Sequence, residues 1–412
     1  MEHIYDIGII GSGPAGYTAA FHAAAKGFSV VMFEKDKVGG VCLNKGCIPT
    51  KAILHSAQVY EELQCCDSLG ISAENVSFNF AKIIEHKNQI VERLRKNLEL
   101  SLKNAKVNVV KAEAKIVSAN KIEAAGEVYE CKDVIVAAGA EPRNFKGIEV
   151  DGKFILNSDD VLNLEKLPKS IVIAGSGAIG IEWSRIFAAF GVDVTVVELA
   201  ENLLPLADIE VSKRVERIFK TKKIKFFKGI GIEKIENEKV YLTNGEILEP
   251  ECVLVAIGRQ ACEISKIDGI TFIGDVCGAI QLAHYASKQA IEHIDGIALD
   301  KNLVPSVIYG NPEIAWAGKR EQDLEEGTYK KAVLLISALG KSHCDNSTEG
   351  FIKILSQDDK IVGAHIVSKE ASAMIQEILI AIQNNISVSK LKEICFAHPT
   401  YSEGIYECLF KL

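Results

Sequence analysis

Ile9-Ile10-Gly11-Ser12-Gly13-Pro14-Ala15-Gly16 and, far downstream, Ile173-Ala174-Gly175-Ser176-Gly177-Ala178-Ile179-Gly180 are one device written twice. Each closes a short apolar run that reads as a strand, residues 5–10 and 170–174. Each opens a helix, running to about residue 26 and about residue 190, and a second strand follows, 29–33 and 193–197. Both second strands end on an acid, Glu34 and Glu198. Glycines in such a loop permit a tight turn and let a pyrophosphate approach the backbone at the helix N-terminus; the acid takes ribose hydroxyls. A glycine turn in a ligand-free sheet carries the same string, but the strand, loop, helix, strand, acid order favours a dinucleotide. Two units imply two dinucleotides. A flavin in one and a nicotinamide in the other is the arrangement that passes a hydride between them. Glu198 accepts from the 2′-OH of NAD and repels a 2′-phosphate, and Leu199-Ala200-Glu201-Asn202 brings no arginine to welcome NADP. The plainer alternative for Glu198 is a solvent-facing acid at a strand end.

Between the units lies Gly39-Gly40-Val41-Cys42-Leu43-Asn44-Lys45-Gly46-Cys47-Ile48-Pro49-Thr50-Lys51. Cys42 and Cys47 are close enough for one helical turn to bring the sulfurs within bonding reach, if Cys42 lies near a helix start. A helix N-terminus also favours the reactive thiolate. By spacing alone the pair reads as a redox disulfide, as two buried structural cysteines, or as half of a metal site. The metal reading needs two more ligands at matching spacing, and Cys65-Cys66 are adjacent, so no metal is expected.

The 412 residues imply two to four domains. A net charge of −8 argues against nucleic acid, since phosphate binding wants a basic surface. No apolar run reaches membrane-spanning length. Met1-Glu2-His3-Ile4-Tyr5-Asp6 enters a strand at once and does not read as a signal peptide. Eleven cysteines in an unexported chain point to a reducing compartment, the cytoplasm, where a disulfide that persists is catalytic more often than structural.

Residues 83–102 read as a long helix with Ile83, Ile90, Val91, Leu94, Leu98 and Leu102 on one face, a stripe for core or subunit packing. From about Leu303 the pattern changes. Strands at 307–309, 333–336, 351–355 and 361–367 and helices at 371–383 and 388–394 read as an antiparallel α+β unit. Near the end stands Phe396-Ala397-His398-Pro399-Thr400-Tyr401-Ser402-Glu403. An imidazole can take a proton from a thiol and return it, and Glu403 could orient the ring. Without further context a His-Pro near a C-terminus is more often structural.

The segment from Gly39 to Leu54 resembles the redox signature of the two-dinucleotide-binding flavoprotein disulfide reductases, most closely their dihydrolipoamide dehydrogenase branch. The resemblance extends along nearly the whole chain. It implies an α/β fold with two Rossmann-like dinucleotide-binding domains and an α+β C-terminal dimerisation domain. The expected division is 1–145 for FAD and the redox disulfide, 146–262 for NAD, 263–302 returning to the FAD domain, and 303–412 for dimerisation. It implies a Cys42–Cys47 redox disulfide, Lys51 near the flavin paired with Glu182, and His398 with Glu403 as the acid–base pair, acting across the interface of a homodimer. By themselves Lys51 reads as a solvated helix position and Glu182 as an acid complementing a helix N-terminus.

The implied FAD contacts are Gly11, Gly13, Pro14, Ala15, Gly16, Glu34, Lys35, Gly40, Val41, Cys42, Ala138, Gly139, Gly274, Asp275, Leu282, Ala283 and His284. Of these, Asp275 in Thr271-Phe272-Ile273-Gly274-Asp275 would meet the ribityl chain, and the backbone of Gln281-Leu282-Ala283-His284 would approach the flavin. Gly175, Gly177, Ile179, Gly180, Glu198 and Gly258 would serve NAD. The implied partner is a lipoyl-bearing carrier domain, the E2 of a 2-oxoacid dehydrogenase or the glycine cleavage H protein. Glutathione- or mercuric-reductase-like activity, or a cofactor-binding sensor or scaffold, are the alternatives. Glu198 disfavours the first, a lone Cys408 the second, and four intact site residues the third. One departure stands out: only residues 260–273 separate Gly258-Arg259 from Gly274-Asp275, where such reductases carry several tens of residues. A hairpin of the central flavin domain is therefore expected to be missing, altering its rim and the substrate channel while sparing the FAD anchors.

Overall fold

The computed structural model describes residues 3–145 and 147–412. Met1 and Glu2, which lead into the first strand, and Lys146, where the second domain is expected to open, lie outside the described residues.

The first sheet has seven strands. Asn108–Val110, Val30–Phe33, His3–Ile10 and Glu127–Val136 lie parallel in that order. The antiparallel hairpin Ala114–Ser118 and Lys121–Ala124 pairs with the beginning of Glu127–Val136. The end of that long strand takes Thr271–Phe272, with Thr271 opposite Ile135 and Phe272 opposite Val136. Ile7, Ile9, Val30, Val31, Met32, Phe33, Val134, Ile135 and Val136 are all buried. Such unbroken apolar runs suit a parallel sheet covered on both faces. The helices Pro14–Ala25 and Ala283–Asp295 pack together through the small residues Ala15, Ala19, Ala286 and Ala290.

The second sheet is wholly parallel, in the order Lys225–Lys228, Asp193–Glu198, Ser170–Ala174, Cys252–Val255, Ile155–Leu156. A small antiparallel sheet, Ile232–Glu236, Lys239–Leu242 and Ile247–Leu248, is attached to it. In both parallel sheets the chain order reverses beside the first strand of the unit. That switch point opens a crevice at the carboxyl ends of the strands, where ligands bind in open α/β sheets. Ala140–Pro142 pairs antiparallel with Arg259–Ala261, so the outgoing and returning chains run side by side.

The third sheet is antiparallel, in the order Ser306–Ile308, Glu313–Gly318, Lys360–Ser368, Phe351–Gln357, Lys330–Leu335. The helices Ala371–Gln383 and Glu403–Leu409 bury Met374, Ile375, Ile405 and Cys408 with Ile352, Ile354 and Ile366 from it. Glu313–Gly318 is not among the strands expected from sequence: Ala315, Ala317 and Gly318 have weak strand preference, and burial in the middle of the sheet overrides it. The helix expected at 388–394 is only Val388–Leu391, capped by Ser387, whose hydroxyl accepts from Lys390 N at 3.1 Å.

The long helix is Phe80–Asn104, begun by Asn79, whose Oδ1 accepts from Lys82 N at 3.1 Å. Of its stripe, Val91 and Leu102 are buried, Ile83 packs on the second sheet's core and Leu98 on the first, while Leu94 stays exposed. Among the described residues no helix is long and apolar enough to cross a membrane.

Candidate active site

The two glycine loops solve one steric problem in the same way. Gly11 and Gly175 both have φ +101°, and a Cβ there would lie 2.3 Å from Ala137 O and 2.6 Å from Ala256 O. A Cβ on Gly16 or Gly180 would meet the first glycine's carbonyl oxygen at 2.0 Å. Only glycine lets these loops touch the neighbouring strand and the helix close on the loop. The middle glycines differ: nothing lies within 4 Å of a Cβ on Gly177, and only Gly40 Cα, at 3.9 Å, near one on Gly13. That space sits in front of a helix N-terminus with free N–H groups, so both loops fit a pyrophosphate.

Each acid is held by the serine of its loop, which sequence reading passed over. Glu34 Oε2 accepts from Ser12 N at 3.1 Å and Ser12 Oγ at 2.6 Å, and its Oε1 accepts from Asp36 N at 2.8 Å. Glu198 Oε2 accepts from Ser176 N at 2.8 Å and Ser176 Oγ at 2.7 Å, and its Oε1 accepts from Ala200 N at 2.8 Å. Each serine oxygen also accepts from the backbone beyond, Gly39 N at 3.1 Å or Leu204 N at 3.2 Å. The serine pattern G-S-G with an acid at the next strand end is the signal that could have found this latch. Lys35 stands exposed beside Glu34.

Gly39 and Gly40 bring the cysteines to the first loop. A Cβ on Gly40 would lie 2.6 Å from Gly13 Cα, so the short helix Gly40–Lys45, carrying Val41 and Cys42, starts against the nucleotide loop. One helical turn does not span the pair, contrary to the sequence expectation. Gly46, at φ −146° and ψ −108°, ends that helix, and Cys47 is the first residue of the next, Cys47–Gln64. The helix N-terminus therefore acts on Cys47, where it favours the thiolate.

The two thiols are unbonded and act on one another as a close pair. The Cys42 thiol beside it draws the Cys47 thiol down to about 7, with the Lys51 charge assisting against burial. The Cys47 thiol and burial push Cys42 far up, so it keeps the proton.

One turn along that helix, Lys51 Nζ lies 2.8 Å from Glu182 Oε2. Glu182 is buried on the helix Ala178–Ala189, which the second glycine loop opens. Its Oε1 accepts from Tyr309 N at 3.0 Å, and the Lys51 ammonium lies 4.8 Å from the Tyr309 ring centre. Tyr309 comes from the third unit, so all three parts of the chain meet here. Nothing in the sequence pointed to that residue.

Gly274 returns to the first loop, where a Cβ on it would lie 3.1 Å from Ala15 Cβ, and its N–H donates to Gln289 Oε1 at 2.8 Å. Asp275 follows, half-buried. Its carboxyl has no hydrogen-bond partner among the described residues, and burial raises it above the usual carboxylate range, with Arg259 opposing. A carboxyl in that condition suits a ligand hydroxyl. Leu282 caps the helix Ala283–Asp295, and His284 Nε2 lies 2.9 Å from Pro305 O. Ala138 and Gly139 follow the long strand beside Gly11, while Gly258 lies in the corresponding exit of the second sheet. Ile179 is half-buried in the second loop's helix. Among the described residues no cluster of three or more His, Cys, Asp or Glu is arranged for a metal.

His398 lies apart. Its Nδ1 is 2.7 Å from Glu403 Oε1, and Glu403 Oε2 accepts from Thr400 N at 2.8 Å. These bonds, the Thr400 amide first, hold Glu403 below the usual carboxylate range. The His398 side chain is 77% exposed, and no hydrogen bond or ion pair joins it to Cys42 or Cys47 among the described residues.

Residues 5–265 match the family model of pyridine nucleotide-disulphide oxidoreductases, and residues 304–408 match that family's dimerisation domain. A dihydrolipoyl dehydrogenase of Bacillus subtilis is 35% identical, the match covering 99% of this chain and 98% of that one. It runs over 467 aligned positions against 412 residues here, so at least 55 positions are gaps on this side. A mitochondrial dihydrolipoyl dehydrogenase of Sus scrofa is 35% identical over 98% of this chain and 89% of that one. The crystal structure of LpdA from Mycobacterium tuberculosis shares the fold at TM-score 0.90 and 24% identity, covering 98% of this chain and 99% of that one.

Proposed function

The chain belongs to the pyridine nucleotide-disulphide oxidoreductase family, and we propose that it is a dihydrolipoyl dehydrogenase, oxidising dihydrolipoyl groups with NAD⁺ through FAD. The observation that carries this reading is the free Cys42–Cys47 thiol pair, seated against the first nucleotide loop and tied through Lys51–Glu182 to the second.

The oxidised enzyme holds a Cys42–Cys47 disulfide. His398 of one protomer, its charge supported by Glu403, takes a proton from a dihydrolipoyl thiol at the other protomer's disulfide. The resulting thiolate attacks Cys42, forming a mixed disulfide and releasing Cys47 as thiolate. The helix N-terminus and Lys51 stabilise that charge. The second substrate thiol loses its proton and displaces Cys42, so the lipoyl group leaves as a disulfide and the enzyme keeps two reduced cysteines. Bound FAD would supply the two-electron chemistry that links these reduced thiols to NAD⁺. The first loop, Glu34 and Asp275 would hold FAD; the second loop and Glu198 would hold NAD.

The physiological substrate on this reading is a lipoyl group on a carrier domain, from a 2-oxoacid dehydrogenase or the glycine cleavage system, and the working form is a cytoplasmic homodimer. A steady-state comparison of dihydrolipoamide with NAD⁺ against glutathione disulfide with NADPH tests the assignment. Turnover of the first pair is expected; turnover of only the second would replace the reading with a glutathione-reductase-like one.

A further inference from the structure

Arg185 lies one turn beyond Glu182 on the same helix, buried at 5% exposure. Its Nη1 donates to Pro312 O at 2.6 Å and, more weakly, to Tyr309 O at 3.5 Å. The guanidinium lies 4.8 Å from the Phe219 ring centre, while Nε and Nη2 have no partner among the described residues. Three carboxylates, Glu61, Glu182 and Glu313, surround it at longer range. A buried guanidinium this sparsely bonded is costly to keep.

Its two carbonyl acceptors belong to the turn that carries Tyr309. The N–H of Tyr309 fixes one oxygen of Glu182, its ring faces the Lys51 ammonium, and the other Glu182 oxygen binds Lys51. The turn is shaped to admit the arginine: a Cβ on Gly310 would lie 1.7 Å from Arg185 Nη1. A side chain at position 310 and the guanidinium cannot share that space.

From this geometry we infer that Arg185 is a positioning residue, which pins the 309–312 turn and thereby keeps the Lys51 ammonium beside the Cys47 sulfur. The inference rests on the reading of Lys51 and Glu182 given above. Loss of Arg185 frees the turn that braces the Lys51–Glu182 pair. A Lys51 ammonium held less firmly stabilises the Cys47 thiolate less.

The test follows iodoacetamide alkylation of Cys47 against pH in FAD-loaded, reduced enzyme carrying Cys42→Ser, with the modified peptide resolved by mass spectrometry. Arg185→Met is expected to move the midpoint up by about one unit, so alkylation near neutral pH slows about tenfold. Gly310→Ala is expected to shift it in the same direction by displacing the guanidinium while leaving Arg185 in the chain, which keeps the test decisive should Arg185→Met not fold. Arg185→Lys, keeping the charge without the fork, is expected to fall between. Lys51→Met serves as the reference. A profile moved by Lys51→Met but by neither Arg185→Met nor Gly310→Ala overturns the inference alone, even if both variants melt early. A profile unmoved by Lys51→Met overturns the Lys51 reading and this inference with it.

Discussion

His398 and Glu403 are bonded through the imidazole Nδ1, at 2.7 Å, which leaves the ring's other nitrogen at an exposed surface. On the proposed mechanism this contact orients a base towards a proton donor, with the carboxylate selecting the tautomer. General-base assistance contributes about 10²–10⁴ in rate. His398→Gln should lose that much in the dihydrolipoamide half-reaction, while NADH should still reduce the flavin at the wild-type rate. Rapid mixing separates the halves; lipoamide turnover within a few-fold of wild type would remove His398 from the chemistry.

On the proposed mechanism the cysteines divide their work by position. Cys42 keeps its proton and Cys47, at the helix start, releases it near 7. Cys42→Ser should abolish lipoamide turnover yet leave a thiolate that gives a long-wavelength band with oxidised FAD. That band should grow as pH rises, because the thiolate is the form that donates. Cys47→Ser should lack it. Spectra showing equal bands in both variants would reverse the assignment.

Glu198→Ala should narrow the preference for NAD(H) over NADP(H), mainly through KM, by removing the carboxylate that repels a 2′-phosphate. The same change unlatches Ser176 from the strand end, so NADH binding should weaken as well. A wild-type enzyme that favours NADPH in parallel titrations would show the second loop to be misread.

Acid should loosen the joint between the second and third units. Lys353, fully buried, lies 2.8 Å from Asp208 and 2.5 Å from Glu321, and His365 Nε2 lies 3.8 Å from Asp208. Burial pushes His365 down to about 4 from 6.5. As pH falls through that window the unfolded chain takes up a proton that the folded chain refuses, so stability declines by on the order of 3 kcal/mol. Asp208 and Glu321, both held below their usual range, add losses at lower pH still. Thermal midpoints between pH 6.5 and 4 should drop less steeply in His365→Leu than in wild type; identical slopes would assign the decline elsewhere.

The short connection from Ala261 to Thr271 still delivers Thr271–Phe272 to the first sheet and Gly274 to the first loop. Beside this connection lies an open cleft of about 520 Å³ lined by Cys262, Ile264, Phe272 and Val276 among others. The protein should purify yellow and dimeric but release FAD at lower denaturant than full-length relatives, as flavin fluorescence would report. Colourless protein that cannot be reconstituted would defeat this view.

What could be read from the chain followed from backbone need. The glycine loops, the acids closing each unit and the long apolar strands have few other uses, so their fold was legible. The strand Glu313–Gly318 of the third sheet was less so, because Ala315, Ala317 and Gly318 carry no period-2 signal and owe their place to neighbours. In the site, residues with unusual chemistry at short spacing were visible. Tyr309 and Arg185 were not, because each matters only through a contact made across domains. The helix break at Gly46, which starts a second helix at Cys47, needed coordinates to see.

That His398 is bonded to Glu403 and to neither cysteine of its own chain has a genetic consequence. If each site is assembled from two protomers, a Cys42→Ser allele and a His398→Gln allele fail for complementary reasons. Expressed together, their chains form mixed dimers in which one site inherits both defects and the other inherits neither. Random pairing would then restore about a quarter of wild-type turnover from two dead genes, whereas two alleles both broken at Cys42 would restore nothing.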